Sequence, residues 1–293
     1  MRRAYFARRI QADPTSRLAL WSLRIALFSI AVVLLGIVIV RSGVLEIIPS
    51  LAAFGGGLLL SAIAVVLALA AFVVIWREGL QGLGMAVTAM LIGVAILAYP
   101  AYLGTKAYRL PAIYDITTDP IDPPKFEAVA RLRPREANPT LYAGLRAAEL
   151  QKAAYPDVEP LIVTATPQVA YDAAVAVITK LKWRIVDARS PLGRREGRIE
   201  AVARTPILGF RDDVVVRIRP DPDGTRVDMR STSRYGRHDF GTNAKRIIAL
   251  SDAIDSAVDA ITPEKTPDQL KKGKKVDPKA AKTVKSAPND KRR

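Results

Sequence analysis

The chain contains 293 residues, of which 50% are hydrophobic, and it carries a formal net charge of +16 at pH 7. It contains no cysteine and a single histidine, which excludes a disulfide framework and the usual zinc sites built from these residues. A glycine-rich phosphate-binding loop of the kind found in nucleotide-binding proteins is also absent from the sequence. We therefore expect neither a metal nor an organic cofactor.

Three long apolar runs occupy much of the first third of the chain. An α-helix needs about 20 apolar residues to cross the hydrocarbon core of a bilayer, and each run has at least that length. Arg24 lies near the start of the first run, where its long side chain can reach the headgroups. Because no Asp, Glu, Lys or His lies inside the runs, we do not expect a transporter or channel. We predict three transmembrane helices, at residues 18–40, 51–75 and 83–103, the second of them within an apolar run that begins at Ile47.

The first apolar run has an alternative interpretation as a cleavable signal peptide. An arginine-rich leader precedes it, as in many such peptides. Its apolar core is too long for a signal peptide, however, and no small-residue cleavage site directly follows Val40. We therefore favour a retained span.

Positive charges near the ends of the spans predict which way the helices face. The basic segment 1–17 holds five arginines against one aspartate, which favours a cytoplasmic N-terminus. Three crossings then place the rest of the chain on the opposite side, which in a bacterium is the periplasm. Lys106 and Arg109 follow the third span and weakly favour the opposite orientation. We predict a protein of the bacterial inner membrane with a cytoplasmic N-terminus and a periplasmic C-terminal domain.

Ala53, Gly57 and Ser61 repeat every four residues and so share one face of the second predicted helix. Small residues on one face allow another transmembrane helix to approach closely. Gly and Ala are also common in spans, so the pattern has two explanations, a packing face or ordinary composition.

The composition changes after the third span. Closely spaced prolines predict an extended tether at residues 104–125, and a soluble domain is predicted at residues 126–262. Residues 263–293 are rich in Lys and contain few large apolar residues, so we expect them to form a disordered tail.

Turn signals and hydrophobic periodicity in the soluble domain predict an α+β fold. Asn138 and Pro139 predict the start of a short helix that ends near Ala154, and longer helices are predicted from Pro167 onwards and across 241–261. Strands are predicted at residues 161–165, 183–188, 198–204, 210–219 and 225–231. We expect two layers, in which an antiparallel sheet of about five strands carries two helices on one face.

One face of this predicted sheet should be apolar and the other charged. Val214, Val216 and Ile218 alternate along a strand with Asp213 and Arg217, so the two sets point to opposite faces. The two helices can cover the apolar face.

Several motifs follow one another in a specific order in the soluble part. They are Asp115-Ile-Thr-Thr-Asp-Pro, Tyr155-Pro-Asp, Gly209-Phe-Arg-Asp-Asp-Val and Val227-Asp-Met-Arg-Ser-Thr-Ser-Arg. Together these motifs resemble the bacterial domain of unknown function family 1499, over roughly residues 113–261. The resemblance implies a bacterial envelope protein and implies no activity or catalytic residue.

A basic segment at residues 230–246 is the candidate binding site. Its basic and hydroxyl side chains precede the first turn of a predicted helix, where phosphates and carboxylates bind well. We predict that it binds an anionic lipid, a glycan or an envelope protein. The predicted anion-binding residues are Arg230, Ser231, Ser233, Arg234, Arg237, Lys245 and Arg246.

The alternative for this segment is a structural role. In that case Asp239 caps the following helix, while Asn243 and the serines satisfy the turn. The arginines then pair across the sheet with Asp212, Asp213 and Asp228.

His238 and Asp239 suggest a different function, a hydrolase that acts on an envelope lipid or glycan with His238 as the general base. Sequence neighbours are a poor basis for such a pair, because a base and its orienting carboxylate usually come from separate segments. Asp212 and Asp213 would point to opposite faces of a strand, so they cannot form a catalytic dyad.

We therefore expect a membrane-anchored binding protein more than an enzyme. The lipid bilayer is its expected partner. Nucleic acid is not, because no aromatic residues are interleaved with the lysines of the tail.

Overall fold

The computed structural model of the protein describes residues 14–193 and 195–261. The predicted Lys-rich tail lies outside the described residues, as does most of the basic segment 1–17.

Three helices precede the domain, and each is long and apolar enough to span a membrane. They are α1 (Arg17–Ser42), α2 (Ile47–Glu78) and α3 (Leu83–Arg109). The prediction of three spans is confirmed, although α2 starts at Ile47 and α3 continues to Arg109. At its start α2 includes Ile47 and Ile48 of the same apolar run, and α3 continues because backbone hydrogen bonding extends into a turn with polar side chains, such as Lys106.

Small residues let α1 and α2 pack closely. A Cβ placed on Gly57 would lie 2.7 Å from Val33 Cγ2 and 3.0 Å from the Val33 backbone nitrogen. Ser61 is fully buried, and its hydroxyl lies 3.0 Å from that of Ser29. Gly57 and Ser61 therefore belong to a packing face, and Ala53 lies half-buried at its edge.

The two ends of the helical bundle differ. At one end the segment before α1 meets the α2–α3 turn, where the Ser16 N–H donates to the Gln81 carbonyl at 2.8 Å. At the other end the α1–α2 turn contacts the domain. Arg41 Nη1 donates there to the carbonyl oxygens of Pro206 at 2.6 Å and Ile207 at 3.0 Å. The domain therefore lies at the end opposite Gln81, as an odd number of spans requires.

The domain is an α+β fold built on a six-stranded antiparallel sheet in the order β1-β6-β5-β4-β3, with β2 also paired to β6. A 3₁₀ turn at Val129–Leu132 precedes the helices. The helices are α4 (Leu145–Ala154), α5 (Pro167–Lys180) and α6 (Thr242–Ile261). The strands are β1 (Asp115–Thr117), β2 (Leu161–Val163), β3 (Arg184–Arg189), β4 (Gly197–Arg204), β5 (Arg211–Asp221) and β6 (Gly224–Ser233).

Helices α5 and α6 cover one face of the sheet, as predicted. Thr166 caps α5 through its hydroxyl, with Pro167 in the first turn. The core forms where the apolar stripes of both helices meet alternate residues of β4, β5 and β6. Its fully buried members include Ile178, Ile199, Val216, Met229, Ile247 and Ile254.

Two segments differ from the prediction. Residues 115–117 fall within the predicted tether but form β1, because their backbone pairs with residues 230–232 of β6. Asn138 does not start a helix, since α4 begins only at Leu145, after Gly144. The Asn138 side chain instead donates to the carbonyl oxygens of Ser233 and Gly236.

The charged face of the sheet is buried as well. Segment 119–142, which is mostly without regular structure, lies across it and supplies groups that satisfy the arginines. Arg217 donates to Asp228 Oδ2 at 3.0 Å and to Asp122 Oδ2 at 2.7 Å. Glu200 accepts the backbone N–H groups of Glu127 and Val129, each at 2.8 Å. The charges beneath this segment, such as Arg217 and Glu200, are therefore internal, because each is matched by a partner in the covering segment or on a neighbouring strand.

Asp119 gives this network a pH dependence. Burial by itself would raise the pKa of Asp119, but the backbone N–H groups of Asp122 and Ile121 and the nearby Arg226 and Arg217 lower it below 3.8. A carboxyl group whose pKa is lower in the folded than in the unfolded protein stabilises the fold at pH values above its unfolded-state pKa. That stabilisation is lost as the pH falls through its folded-state pKa. We expect Asp119→Asn to lower the free energy of unfolding by about 1–3 kcal/mol at pH 7.

The same variant should have a shallower stability profile between about pH 4 and pH 2 than the unsubstituted protein, because it lacks the titrating group. Chemical unfolding of the full-length protein at a series of pH values measures both effects. Parallel profiles for the two proteins would show that Asp119 does not contribute to the acid sensitivity.

Candidate functional site

Arg230, the first residue of the predicted binding segment, lies inside the domain. Its side chain is 2% exposed and donates from Nε and Nη2 to the two carboxylate oxygens of Asp115, at 2.9 and 2.6 Å. It also donates to the carbonyl oxygens of Pro124 and Thr140. The pKa of Asp115 is nevertheless raised, because the desolvation caused by burial outweighs the effect of Arg230. Arg230 therefore fastens β1 and segment 119–142 to β6.

Two more of the predicted arginines make internal ion pairs. Arg234 Nη2 donates to Asp213 Oδ1 at 2.7 Å, and Arg246 Nη2 donates to Asp212 Oδ2 at 2.6 Å. Burial raises the pKa of Asp212, and Arg246 acts in the opposite direction. These pairings follow the structural alternative for Asp212 and Asp213.

The serines of the segment are also engaged. The Ser231 hydroxyl donates to Asn243 Oδ1 at 2.8 Å, and the Ser233 hydroxyl accepts from Asn243 Nδ2 at 2.9 Å. Arg237 and Lys245 are the members of the predicted site that are exposed. Ser231, Ser233 and Arg246 thus lie close together, because the side chain of each forms a hydrogen bond with Asn243.

His238 is held by two backbone groups. The N–H of Phe240 donates to Nδ1 at 2.8 Å, so the ring proton lies on Nε2, which is 3.1 Å from the carbonyl oxygen of Leu110. Both ring nitrogens are therefore occupied, and neither is available as a general base. The ring stacks on that of Phe240, with 4.7 Å between their centroids.

Asp239 caps α6. Its carboxylate accepts the backbone N–H groups of Gly241 and Asn243, both at 2.9 Å. Burial raises the pKa of Asp239, while these two hydrogen bonds lower it. Asp239 makes no hydrogen bond to the His238 ring in the described part of the chain, so the two residues do not form a catalytic pair.

Sequence reasoning missed a row of arginines across four strands at the end of the sheet nearest the α1–α2 turn. Arg204 on β4 lies directly opposite Arg211 on β5. On β3, Arg184 pairs with Val202, so it lies diagonally beside Arg204 on the same face of the sheet. Just beyond β6, the backbone N–H of Arg234 donates to the carbonyl oxygen of Arg211, which places Arg234 next to Arg211. The arginine row consists of Arg184, Arg204, Arg211 and Arg234.

The charges of the arginine row are largely uncompensated. Arg184, Arg204 and Arg211 are exposed and form no ion pair with a carboxylate in residues 14–193 and 195–261. Arg234 shares Asp213 with a second arginine, Arg133. Burial, followed by the charges of Arg204, Arg234 and Arg184, lowers the pKa of Arg211. Like charges directly opposite each other destabilise a sheet, so a row of this kind is typical of a surface that meets an anion.

A signal for this row was present in the sequence. Arg204 and Arg211 flank the loop Thr205-Pro-Ile-Leu-Gly-Phe210, and the two residues that flank a short loop between antiparallel strands face each other. Arg184 could not be added from sequence, because its position relative to Arg204 depends on the β-bulge between Ile185 and Asp187.

A cavity of about 350 Å³ lies between the arginine row and the α1–α2 turn. We call it the polar cavity, because Arg41, Arg211, Arg234, Glu46 and Glu136 line it. Its remaining walls come from Val40, residues 43–48, Ser50, Pro134, Gly209, Phe210 and Tyr235.

A second cavity, of about 360 Å³, lies between the ends of α2 and α3 and the β4–β5 loop. We call it the apolar cavity, because its walls nearest the helices are Leu51, Leu103, Ile207, Leu208 and Phe210. Tyr99 of α3, residues 235–240, Thr205, Pro206, Asp212, Ser233 and Thr242 also line it. Both cavities fall within the size range of ligand pockets, about 300–1,000 Å³. The described residues contain no group of three His, Asp or Glu side chains that could hold a metal ion.

Comparisons with known proteins identify the domain without assigning a role. The model of a family described as "Protein of unknown function (DUF1499)" matches residues 115–254. No curated protein matches the chain. Among solved structures, the vertebrate conserved region of human METTL16 is similar at 16% identity, with a TM-score of 0.25, over 38% of this chain and 88% of that one.

Proposed function

We propose a function from the geometry of the site, since the family whose model matches residues 115–254 has a description that assigns no activity. The three apolar helices anchor the protein in a bilayer. Its α+β domain binds the headgroups of anionic lipids at the surface of that bilayer.

The observation that carries this proposal is the arginine row. Three of its arginines, Arg184, Arg204 and Arg211, are exposed and have no carboxylate partner in the described part of the chain, at the end of the sheet whose β4–β5 loop contacts the α1–α2 turn. Arg211 Nη2 would lie 3.3 Å from a Cβ placed on Gly43 in that turn. Because α1 and α2 hold the turn at the bilayer surface, lipid phosphates are the anions nearest the row. This position favours a lipid over a soluble glycan or a partner protein.

One exposed residue of the predicted segment, Arg237, extends the same surface. Arg237 lines the apolar cavity, next to the ends of α2 and α3, and it is exposed. Arg230, Arg234 and Arg246 position β1, β6 and α6 through internal ion pairs. We therefore assign the contact with lipid to Arg184, Arg204, Arg211 and Arg237, and a positioning role to the buried arginines.

We further propose that the protein lies in the bacterial inner membrane with its domain in the periplasm. The support is the charge distribution of residues 1–17, which favours a cytoplasmic N-terminus. A hydrolase acting through His238 has no comparable support, because both nitrogens of the ring are engaged with the backbone.

Lipid titrations of the full-length protein in detergent test the function. We expect native mass spectrometry to show that phosphatidylglycerol binds more tightly than phosphatidylcholine, and that salt weakens this preference. A triple variant, Arg184→Gln with Arg204→Gln and Arg211→Gln, should lose most of the preference. At about 1 kcal/mol for each arginine near an anionic surface, the loss is up to about a hundredfold in relative affinity.

Arg195→Gln is the matched control, since Arg195 is exposed on the β3–β4 loop at the opposite end of the sheet. It should leave the preference unchanged. The triple variant should also be at least as stable as the unsubstituted protein at low salt, because it removes repulsion between Arg204 and Arg211. An unaltered preference for phosphatidylglycerol in a folded triple variant would refute the proposal.

A further inference from the structure

The polar and apolar cavities are neighbours that share a wall. Phe210 and Tyr235 line both of them. Gly209, beside Phe210, packs against Arg41 of α1, so the shared wall is held directly at the junction of helices and domain. Two adjoining cavities, one with several charged side chains in its walls and the other lined mainly by apolar groups, can hold the two ends of one amphipathic molecule.

The polar cavity has the groups that a phosphodiester with a hydroxylated headgroup requires. Arg211 has no carboxylate partner among the described residues, and its guanidinium can donate to phosphate oxygens. Arg41 lines the same space while its Nη1 holds the β4–β5 loop through two carbonyl oxygens. Glu46 and Glu136 also line the cavity, and their carboxylates can accept hydrogen bonds from hydroxyl groups.

The apolar cavity has the lining that a hydrocarbon chain requires. Leu51, Tyr99 and Leu103 belong to the ends of α2 and α3, so one wall of the cavity is continuous with the surface that these helices present to a bilayer. Ile207 and Leu208 of the β4–β5 loop form the facing wall. The carboxylates that line it are already bonded, Asp212 to Arg246 and Asp239 to the start of α6, and the remaining charged lining residue, Arg237, is exposed.

We propose that the two cavities together form the binding site for one anionic phospholipid with a hydroxylated headgroup. Its phosphate lies against Arg211 in the polar cavity, its headgroup hydroxyls face Glu46 and Glu136, and one acyl chain passes the wall of Phe210 and Tyr235 into the apolar cavity. This inference rests on the proposed function and goes beyond it, because surface attraction needs only the arginine row. A chain held in the apolar cavity makes the site stoichiometric and selective for one molecule.

The test uses phosphatidylglycerol with a photoactivatable diazirine at the end of one acyl chain, incorporated with the full-length protein in nanodiscs. After irradiation and digestion, we expect labelled peptides from residues 99–103 and 205–210. Leu103→Trp fills the apolar cavity and should reduce labelling of residues 205–210 about tenfold or more. Leu91→Trp is the matched control, since Leu91 is 66% exposed on α3 and does not line either cavity, and it should leave this labelling unchanged.

A second variant, Ile207→Trp, fills the apolar cavity from the loop side and leaves α3 unsubstituted. It should reduce the labelling in the same way, which separates filling of the cavity from a disturbance of α3. Labelling spread evenly along the exposed faces of the helices, with no enrichment at 205–210, would overturn the single-lipid site. Stronger labelling by the corresponding phosphatidylethanolamine would overturn its anionic character.

These outcomes are separable from the test of the function. If the triple arginine variant loses its lipid preference but the labelling is not enriched at 205–210, the proposed function stands and the single-lipid site fails. If the arginines have no effect on lipid preference, the proposed function itself fails.

Discussion

Asp213→Ala is expected to destabilise the domain by about 3–5 kcal/mol, because it leaves two buried arginines without their shared carboxylate. Asp213 is fully buried, and its carboxylate accepts from Arg133 Nε at 2.6 Å and from Arg234 Nη2 at 2.7 Å. Domains are stable by only about 5–15 kcal/mol, so the loss is a large fraction of the total. Amide hydrogen exchange of β5 and β6 in the full-length protein measures this loss of stability directly.

Asp122→Ala is the control for this substitution. Asp122 also pairs with a buried arginine, Arg217, but its own side chain is 60% exposed. Water can replace the carboxylate there, so we expect a loss below about 1 kcal/mol. Equal losses of stability in the two variants would show that the contribution of Asp213 to the free energy of unfolding does not depend on its burial.

Gly57→Val is expected to separate α1 from α2, at a cost of about 1–3 kcal/mol or more. The new Cβ would lie 2.7 Å from Val33 Cγ2 and 3.0 Å from the Val33 backbone nitrogen, and the backbone cannot yield without moving the helix. Gly56→Val is the matched control one residue away, since a Cβ on Gly56 meets no atom within 4 Å.

The absence of cysteine from the chain provides a clean readout of this packing. The hydroxyl oxygens of Ser29 and Ser61 are 3.0 Å apart, so a Ser29→Cys and Ser61→Cys pair is close enough to form a disulfide under oxidation. We expect rapid cross-linking in the parent and in the Gly56→Val background, and a rate at least tenfold lower with Gly57→Val. Equal rates in all three backgrounds would contradict the packing role of Gly57.

Most of the fold could be predicted from sequence because its elements carry local signals. Thr166 and Pro167 mark the start of α5, and alternation along 214–218 identifies the apolar face of β5. β1 had no such signal. It has three residues, and its pairing with β6 depends on the long-range Asp115–Arg230 ion pair.

The candidate site was less predictable than the fold. The charge of segment 230–246 predicts an anion-binding site there, yet the sequence does not show which of its charged side chains form ion pairs. The aspartates that bind Arg230 and Arg234 lie at positions 115 and 213 in the chain, so both side chains became internal only when β1, β5 and β6 came together. The arginine row arises by the same process, because Arg184, Arg204 and Arg211 become neighbours only in the sheet.

The three helices that are long and apolar enough to span a membrane, and the α+β domain whose residues 115–254 match a family model, could be predicted from the sequence alone. These properties depend on local composition and periodicity, which the chain carries in every conformation. Which arginines are internal ion-pair partners, and which remain exposed near the two adjoining cavities, depends on the folded structure. Burial and charge pairing are properties of contacts between distant segments, and such contacts exist only in the folded protein.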